Sequence, residues 1–438
     1  MANEVSVSRA IRDVAPGSRV LATPCCGTPE TLLLELGRHA ERTDGLVLTT
    51  GLTFGSFPHQ AAVRAGRLRY RTWHPSGAGL DLVRDGLASY LPLRASDVRV
   101  AITGNTDVLL IRISPPDRDG WCSTGPTASI TRAAIETARL VIAEVDPDLP
   151  RTTGDSRVHV SEITHLVASD DPTPYYPENP DNPTNPDNHT NPTNSSNPDP
   201  RTEAIATRVA GLIPRGATVQ LGLGPVTEAV GELLGRHDDP FGIRVLGVIT
   251  ERMIPLAEAS SGTVRAVELV GGPKLMAWAN RNSRVEMASS DRIHDPVFLG
   301  RTERFVSVIS AASVDLAGQA VCDGIGGSAD FFEGAHLSSG GLRILALAST
   351  DARGRPAIVS SHPEGAQVTV PGHSVDVVVT EHGVAWLRGR TLSERREALL
   401  AVSGGLAASE GLTESGEPAA NGGLDTSGGL AASGGGER

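Results

Sequence analysis

Residues 107–120, DVLLIRISPPDRDG, and 138–150, ARLVIAEVDPDLP, each carry an aliphatic run that stops at a Pro/Asp turn. Between them lies 127–138, TASITRAAIETA. Both runs are too apolar to alternate in and out, which marks strands covered on both faces. The middle stretch has helical spacing of its apolar residues. Strand, helix and strand in that order form a βαβ unit, and such a unit demands a parallel sheet.

The same alternation extends outward from this unit. Upstream, 18–24 (SRVLATP) predicts a strand, 28–42 (TPETLLLELGRHAER) a helix opening after Thr-Pro, and 45–52 (GLVLTTGL) the next strand. Downstream, 170–200 reads DDPTPYYPENPDNPTNPDNHTNPTNSSNPDP, a run of Asn, Pro and Asp with almost nothing to bury, and is expected to be a disordered linker. Its two Asn-X-Ser/Thr acceptors are set aside because nothing indicates secretion. Strand-like runs resume at 217–234 (ATVQLGLGPVTEAVGELL), 243–250 (IRVLGVIT), 304–310, 342–349, 357–361 and 374–380, with a short helix at 252–259. From residue 401 the chain is rich in Gly, Ser and Ala and partly repeats GGLAAS, the composition of a flexible tail. The expected organisation is a domain over 1–169, the linker over 170–200, a second domain over 201–400 and the tail over 401–438.

Composition narrows the function. With 438 residues, 39% hydrophobic and 3% aromatic, the core must be built from Ala, Val, Leu and Ile. A net charge of -12 argues against a nucleic-acid or anionic-membrane surface, either of which needs a basic face. The N-terminal stretch lacks the apolar core of a secretory signal, and no apolar run is long enough to cross a bilayer. Cys25, Cys26, Cys122 and Cys322 show no metal-site or disulfide spacing, as expected for thiols in a reducing cytoplasm.

Two glycine clusters carry the chemistry. Gly222-Leu223-Gly224 stands where a strand meets a helix, a place where backbone amides can hold an anion. A plain tight turn explains it equally well. Gly324-Ile325-Gly326-Gly327 permits close approach of a ligand to the backbone, or serves as a simple turn or bulge.

With these clusters in place, a set of segments in fixed order resembles the acetyl-CoA hydrolase/CoA-transferase family. They are 107–125 (DVLLIRISPPDRDGWCSTG), 149–163 (LPRTTGDSRVHVSEI), 219–230 (VQLGLGPVTEAV), 271–282 (GGPKLMAWANRN), 313–319 (SVDLAGQ), 324–341 (GIGGSADFFEGAHLSSGG) and 377–395 (VVVTEHGVAWLRGRTLSER). The resemblance implies two related open α/β domains facing each other, with acyl-CoA bound between them as substrate. It further implies a small carboxylate as second substrate, no metal, a cytoplasmic enzyme and a homodimer.

The family's nucleophile is a glutamate in a segment reading Gly-Ile-His-Thr-Glu-Met. Anchoring that segment on Gly242-Ile243 places Leu246 at the glutamate. Anchoring on Gly247 gives Gly247-Val248-Ile249-Thr250-Glu251-Arg252 and keeps a carboxylate at the strand's end, so Glu251 is the expected nucleophile. By the same resemblance Gly222 and Gly224 form one acyl-CoA-binding loop, and Gly324, Gly326 and Gly327 the other. The chain departs from the pattern at Ile249 and Arg252, which replace His and Met, and at Ile309, which replaces Asn. These departures also fit a second reading, a homologue that binds acyl-CoA without turnover or serves as a structural subunit.

Overall fold

The computed structural model describes residues 3–176, 199–236, 242–322, 332–351 and 353–405. Two large sheets organise them. The first has eight strands, all parallel, in the order Asn3–Glu4, His165–Ala168, Leu140–Val145, Val108–Ile113, Arg19–Ala22, Val47–Thr50, Arg69–Thr72 and Ala88–Tyr90. All six residues of Val108–Ile113 are buried, as the double-sided aliphatic run demands. The helix Glu30–Ala40 lays Leu32, Leu33 and Leu36 against Val20, Leu48, Leu110 and Ile142, which seals one face.

The second sheet has nine strands, in the order Gly383–Trp386, Val377–Thr380, Leu342–Ala346, Phe305–Ile309, Thr218–Leu221, Arg244–Thr250, Val264–Val270, Val285–Met287 and Thr153–Gly154. Only Gly383–Trp386 runs antiparallel to its neighbour. Helices Pro200–Ala210 and Pro225–Gly235 cover one face through Ile205, Val209, Val226 and Val230. The opposite face meets the first half of the chain: Cys25 packs among Leu246, Val248 and Val270. In each sheet the strand order reverses about one central strand, Arg19–Ala22 in the first and Thr218–Leu221 in the second. Such reversals open crevices at the carboxyl ends of the strands, where open α/β sheets bind ligands.

Several elements lie apart from their expected places. Thr153–Gly154 belongs to the first half by sequence, yet it forms the edge strand of the second sheet beside Glu286 and Met287. The run at 357–361 contributes only Ile358–Val359, in a small separate sheet with Ser313–Asp315 and Ala320–Val321. The helix within 127–138 begins at Thr131.

Defined structure also continues past Ser169, where the linker was expected to start. Arg112 is the reason. It is fully buried within a strand and needs partners for its whole guanidinium. Glu144 and Asp146 stand 3.2 and 2.9 Å away. The remaining N–H groups donate to Thr28 O, Ser169 Oγ and Asp171 O. Thr173 Oγ1 donates to Asp146 in turn, so residues 170–176 are bound to the first sheet. At the other end, helix Leu392–Ala401 ends just beyond the expected boundary at Leu400. Most of the expected linker, 177–198, and of the tail, 406–438, lies outside the described residues.

No helix among the described residues is long and apolar enough to cross a membrane. Within the same residues no three His, Cys, Asp or Glu side chains are grouped to hold a metal ion.

Candidate active site

The carboxyl ends of Thr218–Leu221 and Arg244–Thr250 stand side by side in the second sheet. Leu221 runs into Gly222-Leu223-Gly224, and helix Pro225–Gly235 begins at once. Gly222 keeps the ladder going, donating to Val308 O at 2.9 Å. Gly224 caps the helix with φ +127°, a conformation that an L side chain rarely adopts. Its carbonyl accepts from Thr227 Oγ1 and from the Glu228 amide, each at 2.9 Å. Pro225 at the helix start lacks the N–H that would otherwise be unpaired there.

One strand over, Glu251 follows Thr250 and opens a single 3-10 turn, Glu251–Met253. Its Oε2 accepts from the backbone amides of Gly272 and Leu275, at 3.2 and 3.3 Å. These amides belong to the start of helix Pro273–Ala279 and fix the half-buried carboxylate at the carboxyl end of Arg244–Thr250. Leu246, the rival position, is 4% exposed and packs mid-strand with Val248, beyond reach of a substrate.

The first half of the chain reaches the same place. Gly271 O accepts from the Tyr176 amide at 3.3 Å and lies 3.7 Å from Cys26 Sγ. A Cβ on Gly271 would stand 3.3 Å from that of Glu251. The loop 24–27, at the end of the first sheet's central strand, therefore abuts the residue beside Glu251. Phe54 packs edge-on to Tyr176, with ring centroids 5.1 Å apart. The first half of the chain thus packs directly beside the residues that hold Glu251.

Gly324, Gly326 and Gly327 lie outside the described residues. The flanking strand Ala320–Val321 and helix Glu333–Leu337 are described on either side. Ile309 is 4% exposed and sits against the glycine turn: a Cβ on Gly222 would be 3.5 Å from its Cγ2. It makes that wall apolar. Glu381 accepts from the Ser349 amide at 2.9 Å and from Ser349 Oγ at 2.7 Å, a structural tie.

Two buried carboxyls were not singled out from the sequence. Glu268 lies in strand Val264–Val270 and accepts from Thr127 Oγ1 at 2.8 Å and Ser129 Oγ at 2.5 Å, both from the first half. Burial pushes its carboxyl up to about 8, against which the two hydroxyls only partly act. Glu228, 3% exposed in the first turn after Gly224, has an Oε1 without a hydrogen-bond partner among the described residues. Burial raises it to about 7, opposed by nearby Arg252. In both cases the available signal was one acid inside an aliphatic run, AVELV and VTEAV. Burial likewise raises the Cys26 thiol to about 12, which removes it as a nucleophile at neutral pH.

Comparison with known proteins places both halves of the chain. Residues 4–177 match the acetyl-CoA hydrolase/transferase N-terminal domain, and 271–407 the corresponding C-terminal domain. The 4-hydroxybutyrate coenzyme A transferase of Clostridium kluyveri is 31% identical over 91% of this chain and 94% of its own length. The succinyl-CoA:acetate/propanoyl-CoA:succinate CoA transferase of Fasciola hepatica is 29% identical, covering 88% and 82%. Among solved structures, RipA from Yersinia pestis shares the fold with a TM-score of 0.80 at 22% identity, over 92% and 94% of the two chains. Domain matches and long relatives lead to one conclusion: the chain is an enzyme of the acetyl-CoA hydrolase/transferase family.

Proposed function

We propose that this enzyme moves coenzyme A between short-chain carboxylates, with Glu251 as the covalent nucleophile. The observation that carries this reading is the Glu251 carboxylate itself, held by two amides at the end of a central strand, one strand from a glycine turn. Its chemistry runs through two kinds of carbonyl intermediate. The carboxylate attacks the acyl-CoA thioester, expels the CoA thiolate and becomes an acyl-glutamyl anhydride. The thiolate then attacks the glutamyl carbonyl, releases the original acid and leaves a glutamyl-CoA thioester. An incoming carboxylate repeats both steps in reverse order and departs as the new acyl-CoA, restoring Glu251. Water in place of that acid gives hydrolysis.

Each attack creates an oxyanion, and backbone amides of the turn beyond Gly222, at Leu223 and Gly224, serve to stabilise it; the family resemblance assigns the same task to Gly324, Gly326 and Gly327. The 4-hydroxybutyrate and succinyl-CoA enzymes to which the chain is similar handle acids of the size proposed here. The apolar wall at Ile309 favours an acyl chain over a second charge. The reading places the enzyme in the cytoplasm as a homodimer, without a metal cofactor.

The test is to incubate the full chain with acetyl-CoA in the presence and absence of 4-hydroxybutyrate, butyrate or succinate. New acyl-CoA should form with wild type and disappear with Glu251→Gln. If Glu251→Gln turns over at the wild-type rate, the nucleophile assignment is wrong.

A further inference from the structure

The single turn Glu251–Met253 sends its three side chains to three different places. Glu251 bonds to the start of helix Pro273–Ala279. Met253 is buried against helix Pro225–Gly235, where a Cβ on Gly231 would stand 2.8 Å from its Cγ. Arg252 reaches the same helix and donates to Glu232 Oε2, from Nε at 3.1 Å and from Nη2 at 2.6 Å. The docking continues one step further, since a Cβ on Gly235 would stand 2.8 Å from that of Pro255.

Glu228, Gly231, Glu232 and Gly235 fall on one face of helix Pro225–Gly235, spaced three and four residues apart. On that face the glycines let the turn and the chain after it approach closely, and the two acids flank the one cation the turn carries. Partial burial would raise the Glu232 carboxyl, but the guanidiniums of Arg252 and Arg236 outweigh it and hold the group below its usual range. Glu232 is therefore charged at neutral pH and forms a true ion pair with Arg252, their side chains 27% and 30% exposed. Glu228 lies one turn closer to the glycines and makes no ion pair of its own; Arg252 is the cation that opposes its burial. The helix receiving Arg252 begins at Gly224. One rigid element thus connects the glycine turn to the turn that carries Glu251.

We propose that Arg252 is a positioning residue for Glu251: paired with Glu232, it fixes the nucleophile's turn against the helix that begins at the glycine turn. The proposal rests on the reading of Glu251 as nucleophile and adds what sets its place relative to the amides at Leu223 and Gly224. The carboxylate and the oxyanion donors must act on the same thioester carbonyl, and a misplacement of about 1 Å costs on the order of 100-fold in rate. The ion pair is partly solvated and contributes little to global stability, so its removal acts on the rate and not on folding. Arg252 departs from the family segment, and on this reading the departure serves turnover.

Arg252→Met and Glu232→Gln, singly and together in the full chain, are assayed for CoA transfer from acetyl-CoA to butyrate, with urea unfolding in parallel. Each single variant should lose about tenfold in kcat, with KM for acetyl-CoA within about twofold of wild type. The urea midpoint should move by less than about 0.5 M. The double variant should be no slower than the worse single one, because both substitutions remove the same contact. Arg252→Lys keeps the charge and should regain at least about threefold of the lost kcat. A kcat within about twofold of wild type in Arg252→Met, losses that multiply in the double variant, a loss confined to KM, or a kcat loss matched by a collapse of the urea midpoint overturns the proposal. A fully active Glu251→Gln overturns the nucleophile reading itself. An inactive Glu251→Gln beside a fully active Arg252→Met overturns the positioning role alone.

Discussion

Replacing Glu268 by Gln should remove a specific pH dependence from the stability of this enzyme. Glu268 pins strand Val264–Val270 to the first half through Thr127 and Ser129. The pin lies within a backbone pairing in which Ala128 N donates to Val267 O at 3.0 Å and Leu269 N to Pro126 O at 2.8 Å. Burial raises the folded carboxyl from its ordinary 4.5 to about 8. Between those values the folded protein keeps a proton that the unfolded chain has released. Folding therefore binds a proton, and stability falls as pH rises through that window. The contribution is fully present below about pH 4.5 and lost above about pH 8. Each pH unit within the window is worth about 1.4 kcal/mol, so from pH 5 to 8 the loss is at most about 4 kcal/mol.

Urea unfolding at fixed ionic strength, from pH 5 to 8.5, measures this directly. Subtracting the Glu268→Gln profile cancels other titrating groups, including Glu228. Wild type should lose stability relative to the variant by up to about 4 kcal/mol over the range. Parallel profiles would refute the argument, because they would mean that Glu268 titrates alike in folded and unfolded chains.

Other substitutions test the frame around the site. Gly224→Ala places a Cβ at φ +127° and should cost about 1–3 kcal/mol in urea unfolding while lowering acyl-CoA turnover, since the glycine turn must distort. Arg112→Ala strands Glu144 and Asp146 in the first sheet, with an expected loss of about 3–5 kcal/mol and increased proteolysis within 170–176. Thr391→Ala removes the side-chain cap to the Glu394 amide at the start of helix Leu392–Ala401, and should cost about 1 kcal/mol with turnover unchanged.

The parallel sheets were legible because buried strands advertise themselves as short aliphatic runs, and 107–113 and 140–145 both became strands of the first sheet. The position of Glu251 was legible as well: a polar residue after such a run falls at the strand's carboxyl end. Elements stabilised only by distant partners were not visible. Residues 170–176 read as linker because their Asp and Pro content cannot bury apolar area, yet they are held by Arg112, 59 positions before Asp171. Thr153–Gly154 is too short to show periodicity, and only pairing with Glu286 and Met287 makes it a strand. Glu268 and Glu228 were hidden for a related reason. An acid within an apolar run has the same sequence signature whether it faces water or the junction of two sheets.

The central claim, that Glu251 carries the covalent intermediate, is tested most directly by trapping. Borohydride added during turnover with acetyl-CoA reduces a glutamyl thioester to the corresponding alcohol, and peptide mass mapping locates the change. The account predicts a single modified glutamate, Glu251, in wild type and no modification without acyl-CoA. Modification at any other carboxylate, or sustained CoA transfer with Glu251 unmodified, contradicts it.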